Sequence, residues 1–149
     1  MKRRSDKFAK VASLAVAEEQ RAGQGASRSL QHLEEQLARL GELNAFQQAY
    51  LNRKIENSTM NSAHWQDYQR FLKRLETAVG AQQQIVRDCE RSLASHRRRW
   101  MASRQRCEAL EKLIEKQLTR ERQHDARQEQ KRLDELPASR GLGFDSDFE

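Results

Sequence analysis

The sequence contains few of the residues that end helices and make turns. Its 149 residues include a single proline and 6 glycines, and only 6% of them are aromatic. Hydrophobic residues make up 36% of the chain and charged residues 34%, so a compact globular core is not expected. The abundant Arg, Glu, Gln, Leu, Ala and Lys are strong helix formers. This composition therefore favours long helices that pack along a narrow apolar seam.

Long apolar runs are also missing. The segment ASLAVA (Ala12 to Ala17) is too short to cross a bilayer, and MKRRSDKFAK lacks the apolar core of a signal peptide. The two cysteines, Cys89 and Cys107, are expected to lie on one helix, about 27 Å apart, and to stay reduced. These absences predict a cytoplasmic protein.

Residues that signal turns cluster in two segments. ENSTMNSA (Glu56 to Ala63) predicts a turn at about 56–62, with Asn61 or Ser62 suited to cap the next helix. LPASRGLGFDSDFE (Leu136 to Glu149) predicts a disordered tail over 137–149. The predicted fold is therefore all-α. Helix 1 (about 5–55) and helix 2 (about 62–135) form an elongated antiparallel two-helix coiled coil, a hairpin domain over 1–136.

Apolar residues repeat every seven positions in the second helix. Steps of seven from Trp65 define the a positions of a coiled coil, and steps from Tyr68 define a half-polar d series. Glu121 ends the a series, and a hairpin centred near residue 59 leaves helix 2 without a partner beyond about residue 116. Leu118 to Leu136 is therefore expected to protrude as an unpaired, charged helix. The predicted seam of both helices comprises Leu33, Leu37, Trp65, Tyr68, Leu72, Val79, Val86, Leu93, Trp100, Cys107 and Ile114.

The first helix carries a comparable seam of leucines, which includes Leu30, Leu40 and Leu51. Its N-terminal half is poorer in large apolar residues. Gly23 and Gly25 are surrounded there by small residues, so this part of the hairpin is expected to pack less tightly.

Aromatic residues occur beside the seam as well as in it. Phe71 falls outside the seam of helix 2, and Leu43, Phe46 and Tyr50 form a second stripe on helix 1 at the same level of the hairpin. Aromatic residues exposed together are typical of a surface that binds a partner. The alternative is a thicker layer in which these rings shield one another.

Neither a catalytic nor a metal site is indicated. The four histidines, His32, His64, His96 and His124, lie far apart without cysteine or carboxylate partners at ligand spacing. The chain has no glycine-rich phosphate loop and no recognisable nucleophile setting. We therefore expect a protein that is not an enzyme and that needs no cofactor, no metal and no small-molecule substrate.

Positive charge is the remaining conspicuous feature. The formal net charge is +6, and the run HRRRW (His96 to Trp100) places three arginines side by side. Because adjacent residues fan around more than half of a helix, these arginines do not form one stripe. A solvated face that attracts an acidic protein is the favoured interpretation, and a basic coiled coil that binds nucleic acid is the alternative.

Several segments resemble the FliJ-type flagellar export proteins, which are small coiled-coil components of the flagellar type III secretion apparatus. WQDYQRFLKRLETAV resembles the family's W-x-x-Y-x-x-F-x-x-x-L-E-x-A segment. FAKVASLAVAEE resembles its start, LEEQLARL its mid-helix 1 segment, RRRWMASRQRCEALEKL its second Trp-centred block, and RQEQKRLDEL its C-terminal region. The resemblance covers about 130 residues.

The resemblance implies a central stalk and adaptor. Such proteins insert into and stimulate the hexameric export ATPase, and they contact the cytoplasmic domain of the export gate membrane protein and the export substrate chaperones. The implied location is the cytoplasm, peripheral to the inner membrane at the flagellar base, with indirect or peripheral membrane contact and a role in motility and chemotaxis. The stalk of a virulence-type secretion injectisome is the alternative within the same class.

The resemblance also implies two binding surfaces. The export-gate surface corresponds to Gln36, Leu40, Phe46, Tyr50, Phe71, Leu75, Ala78 and Gln82. The surface that contacts the ATPase ring lies at the two termini and corresponds to Phe8, Val11, Leu14, Arg127, Lys131, Arg132 and Leu133.

Overall fold

Two helices account for almost all of the described chain. The computed structural model describes residues 3–56 and 62–136. Helix α1 covers Arg4–Glu56 and helix α2 covers Ser62–Glu135, and no strand occurs in these ranges. The helices pack against each other as a hairpin, which confirms the predicted all-α fold. Residues 57–61 of the predicted turn, including Asn61, and the predicted tail at 137–149 lie outside the described residues, so the domain bounds stay a prediction.

Each outer helix end carries one residue whose charge suits the helix dipole, among others of the opposite sign. Asp6 lies in the first turn of α1, where the backbone N–H groups of Asp6 and Lys7 donate to the carbonyl of Arg3 at 3.1 and 3.4 Å. Arg132 lies in the last turn of α2. An acidic residue near a helix start and a basic residue near a helix end are both stabilising.

The hairpin divides into two compact units. Among the described residues, the central unit lies within Glu18–Ser103, and the terminal unit consists of residues 3–17 and 104–136. In the central unit the core is a cluster of Leu33, Val86, Cys89 and Leu93, against which the half-buried Leu40 packs. The α2 residues buried in this unit follow the spacing of a coiled coil, with steps of three and four from Leu75 onward and a step of seven before it. They are Tyr68, Leu75, Val79, Gln82, Val86, Cys89 and Leu93.

The seam of α1 consists of two columns of residues along the helix, and one of these columns differs from the prediction. Leu33 is buried, but Leu37 is 45% exposed and the adjacent Gln36 is 5% exposed. Leu30 and Leu51 are also exposed, so the column that faces α2 runs one residue earlier than the leucines suggest. The reason is pairing across the interface, because Gln36 meets a glutamine on α2 and the column continues to Tyr50, which meets aromatic rings. The placement of Leu37 in the seam was therefore wrong.

Trp65 also departs from the predicted burial. It is 39% exposed, whereas Leu72, Trp100, Cys107 and Ile114 are half-buried. Trp65 lies in the first turn of α2, and its indole stacks on Tyr68 of the same helix with ring centroids 6.0 Å apart. A residue at the end of a helix pair has fewer covering neighbours than one in the middle of the pair, which leaves Trp65 partly open.

The glycine-rich part of α1 is filled by large side chains of α2. A Cβ atom added to Gly23 would lie 3.1 Å from Nε1 of Trp100, and one added to Gly25 would lie 3.3 Å from Nδ1 of His96. The indole N–H of Trp100 also donates to Oε1 of Glu19 at 3.0 Å. The missing glycine side chains thus make room for a tryptophan and a histidine, both of which are half-buried. The looser packing expected here stays a prediction.

The terminal unit continues the pairing further along α2 than expected. Glu121 accepts hydrogen bonds from the backbone N–H of Ser5 at 3.2 Å and from its hydroxyl at 2.8 Å, and Arg3 forms an ion pair with Asp125 at 3.1 Å. Pairing therefore extends to Asp125, and Leu118 is not the start of an unpaired helix. A constant pairing about residue 59 holds where Gln36 contacts Gln82, but it does not hold at this end, where Ser5 contacts Glu121.

Candidate partner-binding surface

Five aromatic rings meet near the α1–α2 turn end of the central unit. Tyr50 is at the centre, with its ring centroid 4.4 Å from that of Phe71 and 5.4 Å from that of Tyr68. Phe46 lies 6.1 Å from Tyr50 and 6.2 Å from Phe71, in tilted and edge-on geometries. These distances are typical of favourable aromatic pairs. Phe46 and Phe71 therefore meet across the two helices, as their shared level in the hairpin predicts.

Tyr68 fixes the inner side of this cluster. Its hydroxyl donates to the backbone carbonyl of Tyr50 at 2.9 Å, and the side chain is buried. Burial raises the pKa of Tyr68, and the nearby Tyr50 raises it further. The neutral phenol is thus the form that the site favours, and it ties the end of α1 to α2.

The outer rings remain accessible. Phe46 is 52% exposed, while Tyr50 and Phe71 are half-buried against it and against each other. We call Phe46, Tyr50 and Phe71 the aromatic patch. The rings shield one another in part, as in the self-shielding alternative, yet they leave an exposed phenylalanine face beside the exposed Ala78.

The remaining residues of the predicted gate surface are divided between surface and interior. Leu40 is half-buried, whereas Gln36, Leu75 and Gln82 are buried between the helices. The amide nitrogen of Gln82 donates to the side-chain oxygen of Gln36 at 2.8 Å and to its backbone carbonyl at 3.0 Å. This pair satisfies two polar side chains inside the seam, and it lies ten or eleven residues along the helices from Phe46 and Phe71, a distance of about 15 Å.

The residues of the predicted ring surface all belong to the terminal unit. On α1, Phe8 is half-buried, while Val11 is 42% and Leu14 is 66% exposed. On α2, every residue from Arg122 to Leu136 is exposed, and this stretch contains Arg127, Lys131, Arg132 and Leu133. Sequence reasoning missed Ser5 and Glu121, although Glu121 falls at the next a position after Ile114 and could have been included by extending the count.

The arginines of the HRRRW run are all exposed. Arg97, Arg98 and Arg99 follow one another on α2, so their side chains leave the helix in directions about 100° apart. No single basic stripe results. His96 from the same run is half-buried against Gly25.

Other kinds of site find little support in the described ranges. Within residues 3–56 and 62–136, no three His, Cys, Asp or Glu side chains are grouped as a metal site requires. Cys89 is buried, Cys107 is half-buried, and the two are not joined in a disulfide. In the same ranges, neither helix contains an apolar stretch of the length and hydropathy that a bilayer crossing needs.

Fold and surfaces together define a coiled-coil protein whose accessible features suit protein partners. The chain belongs to a family of this class, described as Flagellar FliJ protein, which it matches over residues 4–142. No curated protein and no solved structure gives a significant match to the chain.

Family membership assigns a general role. The protein is a coiled-coil component related to flagellar protein export, and the family is a non-catalytic part of that machinery. It also implies interaction with components of the export apparatus. The resemblance read from the Trp-centred segments of the sequence is thereby confirmed.

Proposed function

We propose that this protein is the central stalk and adaptor of the flagellar type III export apparatus. It inserts into the hexameric export ATPase and stimulates it, and it links the ATPase to the cytoplasmic domain of the export gate and to substrate chaperones. It acts in the cytoplasm at the inner membrane of the flagellar base, and it has no enzymatic activity of its own.

The observation that carries this proposal is the end of α2. Asp125 pairs with Arg3 at the very start of the described chain, and α2 then continues through Arg127, Lys131 and Arg132 to Glu135 with every residue exposed. A charged helix with so few apolar residues gains little stability by itself and is better suited to contact with another surface. Its paired root and single charged extension fit entry into the pore of a ring.

Exposed apolar residues add a second argument for this end. Leu14, which is 66% exposed, and Val11 lie on α1, and Leu133, which is 51% exposed, lies on α2. Large apolar side chains that remain open to water are favourable contacts for a partner. The terminal unit therefore offers the ring both charged and apolar groups.

The aromatic patch is the proposed gate-binding surface. Phe46, Tyr50, Phe71 and Ala78 supply its accessible area. The buried Gln36, Leu75 and Gln82 are not accessible to a partner, so they act indirectly by holding the two helices together. Binding energy at such surfaces is usually concentrated in a few aromatic residues, so Phe46 and Phe71 are the expected hot spots.

Binding of alanine variants to the purified cytoplasmic domain of the gate protein tests this assignment. We expect Phe46→Ala to raise the dissociation constant by about tenfold or more while the thermal midpoint stays nearly unchanged, because the ring is half exposed. Met101→Ala is the control, since Met101 is 61% exposed and lies away from the patch.

Unchanged gate binding by Phe46→Ala would remove the basis of the assignment. Phe71→Ala separates the two interpretations of the rings. Loss of stability together with binding would favour the self-shielding layer.

A further inference from the structure

A second accessible face lies on the other side of the central unit. Leu37 lies four residues after the buried Leu33, so its side chain leans to one side of the seam. Phe46 lies three residues after the half-buried Leu43, so its side chain leans to the other side. In an antiparallel pair these are opposite sides of the seam. We call the side of Leu37 the leucine face. Its apolar members on α1 are Leu30, Leu37 and Leu51, which are 37, 45 and 38% exposed.

The α2 half of the leucine face is polar and contains a glycine. Its exposed residues recur at spacings of three and four and are Lys73, Glu76, Gly80, Gln83, Arg87 and Glu90. This is the spacing of a coiled-coil stripe, although these residues do not face α1. A regular stripe on the outside of a helix pair is a surface along which another helix can lie.

Gly80 is not explained by the packing of the hairpin. A Cβ atom added there would meet nothing within 4 Å, in contrast to Gly23 and Gly25. Glycine inside a helix is less favourable than alanine by about 1 kcal/mol. A helical glycine in open space, at Gly80 as at Gly41 on α1, leaves a backbone that a second helix can approach closely.

The charges of this stripe identify the helix that fits it. Reading along α2, Lys73 and Glu76 precede Gly80, and Arg87 and Glu90 follow Gln83. When a second α2 lies antiparallel with its centre between Gly80 and Gln83, Lys73 faces Glu90 of the other copy and Glu76 faces Arg87. All four contacts join opposite charges. None of the four residues forms an ion pair among the described residues, and Arg87 donates only to Gln84 of its own helix, at 2.9 and 3.3 Å.

We propose that the leucine face binds the same face of a second copy of this chain. The two copies are related by a two-fold axis near Gly80 and Gln83, so each contact occurs twice, as in other isologous dimers. Leu37 lies close to this axis, because its neighbour Gln36 contacts Gln82. Leu37 of one copy is thus placed to bury its exposed surface against the other copy. This face is separate from the aromatic patch, so the inference does not depend on the proposed function.

Charge exchange tests the dimer without disturbing the hairpin. The association of purified full-length chains is measured by sedimentation equilibrium for the wild type, Glu76→Lys, Arg87→Glu and an equimolar mixture of the two variants. We expect the wild type to dimerise and each variant alone to dissociate at concentrations about tenfold higher, because each reversal creates two like-charge contacts. The mixture restores both contacts and should dimerise like the wild type. Circular dichroism checks that each variant keeps its helices.

Leu37→Asp provides an independent test of the same interface. It should weaken the dimer at least as much as a single charge reversal and should leave the helix content unchanged, since Leu37 is outside the seam. A wild-type chain that remains monomeric at all accessible concentrations would overturn the proposal and leave the face to a helix of another protein. A dimer whose dissociation constant is unchanged by all three substitutions would also overturn it, because its interface would lie elsewhere.

Discussion

Glycine residues have opposite consequences at different positions of α1. Gly23 is covered by the indole of Trp100, whereas a Cβ atom added to Gly41 would meet nothing within 4 Å. Intrinsic propensity favours alanine over glycine equally at both positions. The difference between them therefore isolates the role of the tryptophan.

We expect Gly41→Ala to increase the free energy of unfolding by about 0.5–1 kcal/mol, as for an exposed helix position. Gly23→Ala should instead lower it by about 1 kcal/mol, because the new methyl group displaces Trp100 from its hydrogen bond to Glu19. Urea unfolding followed by circular dichroism measures both values. Equal stabilisation by the two substitutions would show that Trp100 does not need the glycine.

The Ser5–Glu121 contact makes the terminal unit sensitive to acid. The hydrogen bond from the Ser5 hydroxyl is the main cause that lowers the pKa of the Glu121 carboxyl, opposed by partial desolvation and aided by the backbone N–H of Ser5. A carboxyl whose pKa is lower in the folded state contributes stability above its unfolded pKa, about 4.3. That contribution is lost as pH falls through the folded pKa.

We therefore expect the amide signal of Ser5, followed by NMR, to shift as the pH falls below about 4.3. Glu121→Gln is the control, because its amide can still accept a hydrogen bond but does not titrate in this range. An identical Ser5 titration in the variant and the wild type would assign the transition to another group.

Among the structural elements, the buried pair of Gln36 and Gln82 sets the relative position of α1 and α2 in the central unit. Gln82→Leu alone should lower the free energy of unfolding by about 1–3 kcal/mol, because the carbonyl oxygens of Gln36 lose their donor in a buried site. The double variant Gln36→Leu/Gln82→Leu should recover most of this loss, since neither helix then buries an unpaired polar group. If the double variant loses as much stability as the two single variants together, the two residues are not coupled in this way.

The elements of this hairpin could largely be predicted from its sequence. The helices follow from the scarcity of glycine and proline, and the α2 seam follows from a period counted through Val79, Val86 and Leu93. One column of α1 could not be predicted, because hydrophobicity favours Leu37 over Gln36 and only the cross-helix pairing with Gln82 decides between them. The same limit applies to Glu19 and Glu121, which are ordinary surface residues until a partner on the other helix is known.

The candidate surfaces were predictable to different degrees. Phe46 and Phe71 could be placed together from their level in the hairpin, and they do contact each other. The burial of Leu75 and Gln82 follows from the d positions, but these two residues had been assigned to a binding surface through family resemblance. Resemblance transfers a set of residues without separating those that contact a partner from those that support the contact.

For the whole molecule, the proposed functions are divided among different residues. The aromatic patch and the leucine face belong to the central unit, and the proposed ring-binding residues belong to the terminal unit. Substitutions at one surface should therefore leave the other activities in place. A loss of ATPase stimulation without a loss of gate binding is the pattern that a stalk and adaptor requires.

The most direct test of this account is the rate of ATP hydrolysis by the export ATPase in the presence of two altered forms of the chain. The shortened form ends at Asp125 and lacks residues 126–149, so it keeps Arg3–Asp125 and Ser5–Glu121 pairing at its root. Full-length Phe46→Ala is the control, since it alters only the aromatic patch. The account predicts that the control stimulates hydrolysis like the wild type, and that the shortened chain remains helical and binds the gate domain but no longer stimulates. Stimulation at full strength by the shortened chain would contradict the proposal that the end of α2 enters the ring.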